Sequence, residues 1–287
     1  MWLTVFGCTA GIVLVFFTVL TYFLCIRLLK FEKPGDGIRS PGGHDFMCDT
    51  ADGCRIRGEV LVPRKPSGTT VILSDVPHGA ELARMLLAEG IAVIRYQGRG
   101  YRDSGRPGTW GIREARDLRL IYTTIANREP DVCRNIGTIG RETGAAAALL
   151  HACMDDRVRF VIAISPYADL TDLTKRHLRD KGFPAFPLLQ MCRMICRMTA
   201  GADIAKASPV SEIRARGGLM KVPVLLISEQ SNVKIPAAEV RKTAEALKGP
   251  VRVEALAESF GKPVADSSGT ENFRNWMLET IGQSVSL

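Results

Sequence analysis

The chain has 287 residues, 46% of them hydrophobic, and carries a formal net charge of +8. That length and apolar content support one large buried core plus an appendage rather than a miniature stapled module. The basic residues run from Arg27 to Arg274 with no run of five, which argues against a nucleic-acid-binding stripe and suits a body held beside anionic lipid.

Residues 1–26, "MWLTVFGCTAGIVLVFFTVLTYFLCI", hold no charged side chain, enough to cross a hydrocarbon layer of about 30 Å. A cleaved signal would have a basic start, a shorter apolar core and a small-residue cleavage site. None of these is present, so the expectation is an uncleaved single-pass anchor over 1–27 with the lipid bilayer as its partner. Arg27, Lys30 and Lys33 follow the span and nothing basic precedes it, which predicts a cytoplasmic body. Residues 28–44 read as a basic, then Pro/Gly-rich linker ("PGDGIRSPGG"), and 45–287 as the folded domain.

Within that domain, "HDFMCDTADGCRIRGEVLVP" predicts a hairpin turning at Asp52-Gly53. Strands are then expected at Thr70–Leu73, Ile91–Tyr96, Ile136–Ile139, Val158–Ile164, Val222–Ile227 and Val251–Leu256. Helices are expected at Glu81–Glu89, Ile112–Asn127, after Gly140, at Pro236–Leu247 and at Glu271–Ile281. Continuous apolar strands alternating with amphipathic helices predict an α/β fold: a mostly parallel, twisted sheet covered on both faces. The interval 171–215 breaks the rhythm with "FPLLQMCRMICRM", read as a small helical cap. The cysteines of the body show no disulfide-framework or zinc spacing; Cys192 and Cys196, four apart, read as packing residues. Gly137, Gly140 and Gly144 do not have dinucleotide-motif spacing. No cofactor and no metal are expected.

The segment Ile136–Ile139 followed by Gly140-Arg141-Glu142-Thr143-Gly144 has the form of a nucleophile elbow, G-x-S-x-G, with glutamate where the serine belongs. Three further stretches fall in order around it: "AVIRYQGRGYRDSGRPG", "VIAISPYADL" and "ASPVSEIRARGGLMKVPVLLISEQSNVKIP". With the opening hairpin, this ordered set resembles the α/β-hydrolase superfamily, most nearly its cap-bearing esterase, lipase and serine aminopeptidase-like branches, over about residues 45–282.

The resemblance implies a serine at the elbow, an acid after a late strand and a histidine after the next, the acid orienting the imidazole that activates the serine. In this sequence those positions are Glu142, Asn232 and Phe260, so the triad reads as degenerate. The loop that supplies an oxyanion donor in the family is Ser74-Asp75. Asp103 and Ser104 read as turn-stabilising loop residues. The expectation is a pseudohydrolase, membrane-anchored and kept for binding, with Ser74, Asp75, His78, Glu142, Thr143 and His177 lining a candidate pocket. Its occupant is left open between a small apolar or acyl ligand and a protein partner.

The alternative is an active, serine-independent hydrolase in which Glu142 works with a displaced histidine. The chain has four: His44 precedes the domain, His151 lies about 13 Å along the elbow helix, and His78 and His177 are the ones in reach. A carboxylate at an elbow also sits at a helix N-terminus, where it is electrostatically favoured and can cap the helix itself.

Overall fold

A computed structural model describes residues 8–9, 11–12, 15–23, 43–76, 79–216, 221–257 and 267–285. Part of the expected anchor 1–27 and most of the linker 28–44 lie outside the described residues, as do His78 and Phe260. Among the described residues no helix is long and apolar enough to cross a membrane. The described turns of α1 are 8–9, 11–12 and 15–23.

The hairpin forms as expected: β1 (His44–Asp49) and β2 (Arg55–Leu61) pair antiparallel around a turn in which Gly53 adopts φ +77°. β1 begins on the last residue expected of the linker. The chain then alternates: β3 (Thr69–Ser74), α2 (Gly79–Ala88), β4 (Ala92–Gln97), α3 (Glu114–Arg128), β5 (Asn135–Arg141), α4 (Thr143–Met154) and β6 (Val158–Ile164). The interval expected as a cap holds α5 (Leu170–Asp180), α6 (Leu188–Ala200) and α7 (Pro209–Ala215). β7 (Val224–Glu229), α8 (Ala237–Ala246), β8 (Val251–Leu256) and α9 (Ser267–Val285) complete the order.

The eight strands make one sheet in the order β1-β2-β4-β3-β5-β6-β7-β8. β2 runs antiparallel to both β1 and β4, and every pair from β4 to β8 is parallel. Helices cover both faces, which is why β3 and β7 are buried at every position and could be written without polar alternation. On one face Leu82 and Leu86 of α2 join Phe273, Met277 and Ile281 of α9 over Phe160, Ile162 and Ile227. The three α9 residues recur every fourth position, one helical stripe, and burying each contributes about 2 kcal/mol. On the other face α3, α4, α7 and α8 pack over Ile72, Ile136, Val161 and Leu226.

α4 can lie so close to the sheet only because its start is glycine and alanine. A Cβ on Gly144 would stand 2.0 Å from the Ser74 carbonyl oxygen, and one on Gly140 would stand 2.2 Å from the Gly144 carbonyl oxygen. The expected motif "GRGY" also has a structural task. Arg99 donates to both oxygens of Asp52, at 2.7 and 2.6 Å, and to both oxygens of Asp117, at 2.7 and 3.1 Å. That ties the hairpin turn to α3. Ser104 Oγ lies 2.8 and 2.9 Å from the carbonyls of Tyr101 and Arg106, closing its loop. Cys196 is buried and free, whereas Cys192 is disulfide-bonded, a departure from the expectation of packing alone.

Candidate functional site

Three adjacent strands of the sheet, β3, β5 and β6, are each followed at once by a non-glycine residue with positive φ: Asp75 (53°), Glu142 (51°) and Ser165 (47°). Such conformations cost on the order of 1–3 kcal/mol each and cluster where backbone must be held for a purpose. They fall at the carboxyl edge of a parallel sheet, the edge on which ligands of open α/β sheets sit. The elbow is therefore built in full: Glu142 leaves β5, turns sharply at ψ −108°, and starts α4.

The Glu142 side chain is buried, and no side-chain hydrogen bond caps α4. This corrects the expectation that the carboxylate caps its own helix. It reaches across the strand ends instead. Asn232 Nδ2 donates to Glu142 Oε1 at 2.9 Å, and Arg141 Nη1 stands 3.3 Å from the same oxygen. Arg141 also grips Glu229 through Nε, at 3.1 and 3.0 Å to its two oxygens, and Ser165 Oγ donates to Glu229 at 2.8 Å.

The orientation of Asn232 follows from its loop. Its Oδ1 accepts from the backbone N–H groups of Lys234 and Ile235, at 3.1 and 3.0 Å. The amino group is thereby turned toward Glu142 and, at 3.5 Å, toward Glu229. An aspartate in this seat would meet two carboxylates, so asparagine at 232 and glutamate at 142 fit one another as donor and acceptor. Burial raises the Glu142 carboxyl above its ordinary range, while Arg141 and Asn232 pull it partly back.

Ser74 Oγ lies 2.8 Å from the Tyr96 hydroxyl, and Thr143 Oγ1 donates to Asp75 at 2.8 Å. In a hydrolase the backbone after the nucleophile and the loop after this inner strand supply the oxyanion donors. Here that space holds the Asp75 carboxylate. His177 Nε2 is 2.7 Å from the Lys234 carbonyl and so carries the proton there. Burial lowers its pKa, and no hydrogen bond joins it to Glu142 among the described residues. His44 pairs with Glu129 at 3.2 Å, away from the strand ends. His151 is buried at the far end of α4. Among the described residues no group of three His, Cys, Asp or Glu side chains could hold a metal ion.

Sequence reading missed Glu229, Arg141 and Ser165. A signal was available: Arg141 and Glu229 are charged residues closing the apolar strands β5 and β7, at the edge where the site belongs. What sequence cannot supply is that β6 alone separates those strands, letting arginine and glutamate meet.

The cap packs over this edge. Leu170, Leu173 and Leu178 of α5 and Leu188, Leu189 and Cys196 of α6 share a core with Ala146 of α4, Tyr167 and Ile235.

No protein-family model and no curated protein matches the sequence. Solved structures do match. An esterase of Pyrococcus furiosus is 19% identical with TM-score 0.65, covering 88% of this chain and 98% of the esterase. An α/β hydrolase from a Penicillium species is 17% identical, TM-score 0.60, covering 85% of this chain and 99% of its own. Acetyl xylan esterase 1 from a Thermoanaerobacterium species is 16% identical, TM-score 0.58, covering 91% and 93%. At these identities the likeness is one of fold.

Proposed function

The chain has the α/β-hydrolase fold, and on that premise we propose that it is a membrane-tethered pseudohydrolase, a hydrolase scaffold that binds rather than cleaves. The observation that carries this reading is the 2.9 Å hydrogen bond from Asn232 Nδ2 to Glu142 Oε1. In a working triad an imidazole stands between the elbow residue and the acid. Here the longer elbow side chain bonds the acid position directly, and the acid position is an amide. The carboxylate is also paired with Arg141, so it is not free to attack, and His177 is turned to the Lys234 carbonyl rather than placed to activate water against an ester at Glu142. A negative charge at the elbow, with Asp75 beside Thr143, opposes the oxyanion that acyl transfer must stabilise. The structures named above are those of hydrolases; this reading departs from them on the site's own side chains.

What the scaffold binds follows from its covering. The cap residues that share a buried core with Ala146 of α4 are leucines and a cysteine; an apolar underside of this kind suits a small apolar or acyl group, with a protein partner as the other occupant. The test is thermal unfolding of the full chain in detergent against a panel of acyl amides and lysolipids. A saturable rise in Tm is expected, of the size that about 2.7 kcal/mol gives at a hundredfold excess over Kd. A flat response across the panel removes the ligand version.

A second reading keeps one observation in its favour: His177 is bonded to the loop that carries Asn232. In that version His177 swings off the Lys234 carbonyl to serve Glu142, and His177→Gln abolishes ester turnover.

The tether is residues 1–27, uncharged to Ile26, and the basic flank at Arg27, Lys30 and Lys33 favours a cytoplasmic body. The disulfide at Cys192 favours an oxidising side instead. Protease added to intact cells decides between them: a body that survives until the membrane is breached is cytoplasmic.

A further inference from the structure

We propose that the outward face of α6 is a second lipid-contacting surface, seated in the bilayer interface beside α1. The inference rests on the tether reading and adds to it, because it assigns an orientation to the cap.

α6 has an apolar inner side and methionines on its outer one. Its inner side, Leu188, Leu189, Cys192, Cys196 and Ala200, is buried. Its outer side carries Met194 at 52% and Met198 at 79% exposure, with Phe186 just before the helix at 75%. Beside exposed Gln190 and Arg197, these methionines give α6 a mixed outer surface of the kind that lies in a bilayer interface rather than in its core, and exposed apolar side chains grouped on one side mark a contact surface. The charges of α6 do not interrupt this stripe. Arg193 and Arg197 both turn to Asp203 on the flank.

The occupant is indicated by what lies alongside. Thr21 of α1 is fully buried, and its Oγ1 sits 3.7 Å from Met191 Sδ, one turn before Met194 on α6. α1 itself exposes Ile12, Val15, Phe16, Phe17, Val19, Tyr22 and Phe23. Its apolar surface is thus continuous with that of α6. If α1 lies in lipid, Met191 is at the lipid boundary, and Met194, Met198 and Phe186 extend from it. Arg179 in the last turn of α5 and Lys181 just after it are exposed and have no ion pair among the described residues. Cations in that setting suit phosphate headgroups, as on an interfacial amphipathic helix. The consequence is that the cap rests on the membrane while the sheet hangs below it, so an acyl ligand would reach the strand ends from the bilayer rather than from water.

The test uses the full chain in phosphatidylcholine–phosphatidylserine vesicles that contain a phospholipid with a photoactivatable carbene precursor in its acyl chain. After photolysis, adducts are mapped by mass spectrometry. The expected result is labelling of 1–26 and of 186–198, with the second set falling to background in the Met194→Glu/Met198→Glu double variant while the first persists. Labelling confined to 1–26 would overturn the inference and leave the tether standing, and the cap face would then belong to a protein. Labelling of 186–198 that is unchanged in the double variant would also overturn it. Labelling of neither segment would remove the tether as well.

Discussion

The two ends of α4 each bury an ionisable side chain, and they solve the problem in opposite ways. At the first, Glu142 is met by Asn232 from the loop after β7 and by Arg141 from β5. At the other, His151 approaches Asp155 at 3.4 Å but among the described residues neither ring nitrogen has a hydrogen-bond partner, and Asp155 is instead gripped by Arg157 at 2.8 and 2.6 Å. Burial, helped by the nearby Arg157 and Arg119 guanidinium groups, therefore wins over the Asp155 carboxylate and pulls the imidazole down to about 4. One group keeps partners that converge from separate elements; the other surrenders its charge. Burial of a charge-bearing residue is thus no sign of a site by itself, whereas convergence of oriented partners is.

The largest expected effect tests whether the first end is built as tightly as its glycines imply. Gly144→Ala drives a Cβ to 2.0 Å from the Ser74 carbonyl oxygen, and backbone cannot step aside cheaply. A loss of ~4 kcal/mol or more is expected in urea unfolding.

Next comes the far end. The unfolded imidazole takes its proton near 6.5 and the folded one only near 4, so the unfolded state binds more protons between those values. Stability should fall as pH drops through that window, by on the order of 3 kcal/mol at most. Asp155, lowered to about 2, gives up its stabilisation only below 3.8; inside the window His177, also lowered by burial, adds a loss of the same sign, and Asp117, raised by burial to about 6, opposes both. His151→Leu should reduce the acid-side loss in pH-dependent unfolding by the imidazole's own share, leaving that of His177; an unchanged profile would mean that the His151 imidazole is not a sensor.

Returning to the elbow, Asn232→Asp places a third carboxylate against Glu142 and Glu229. It should cost about 2 kcal/mol at pH 7, recovered as pH falls and one carboxyl protonates. Glu142→Gln in the same chain should restore most of the loss, a coupling readable in a double-mutant cycle. The smallest effect is Glu142→Gln alone. Because the folded carboxyl is raised, its ionised form destabilises the native state above the carboxylate range. The neutral amide should therefore add about 1 kcal/mol at pH 7 and nothing at acid pH.

The order of strands and helices was legible because strands buried on both faces are written as nearly unbroken apolar runs, as at Val158–Ile164, where only the exposed Arg159 interrupts and the expected and observed limits coincide. Ends were less so. α9 begins at Ser267 rather than Glu271, since Asp266, Ser267, Ser268 and Thr270 are all capping residue types and the sequence offers several starts within one turn. The elbow could be read from Gly140 and Gly144. The direction of the Glu142 side chain could not, because it depends on two backbone N–H groups fixing the Asn232 amide, a contact ninety positions away. The Arg141–Glu229 pair was hidden for the same reason: strand order, not sequence order, makes them neighbours.

The central claim is that the elbow carboxylate is engaged in the fold and not in chemistry. Its most direct test is turnover of a short-chain chromogenic ester panel by the full chain, beside Glu142→Ala and His177→Gln. The account predicts background rates for all three proteins. Ester cleavage by the unaltered chain that disappears in Glu142→Ala would contradict it, and its disappearance in His177→Gln as well would identify the base.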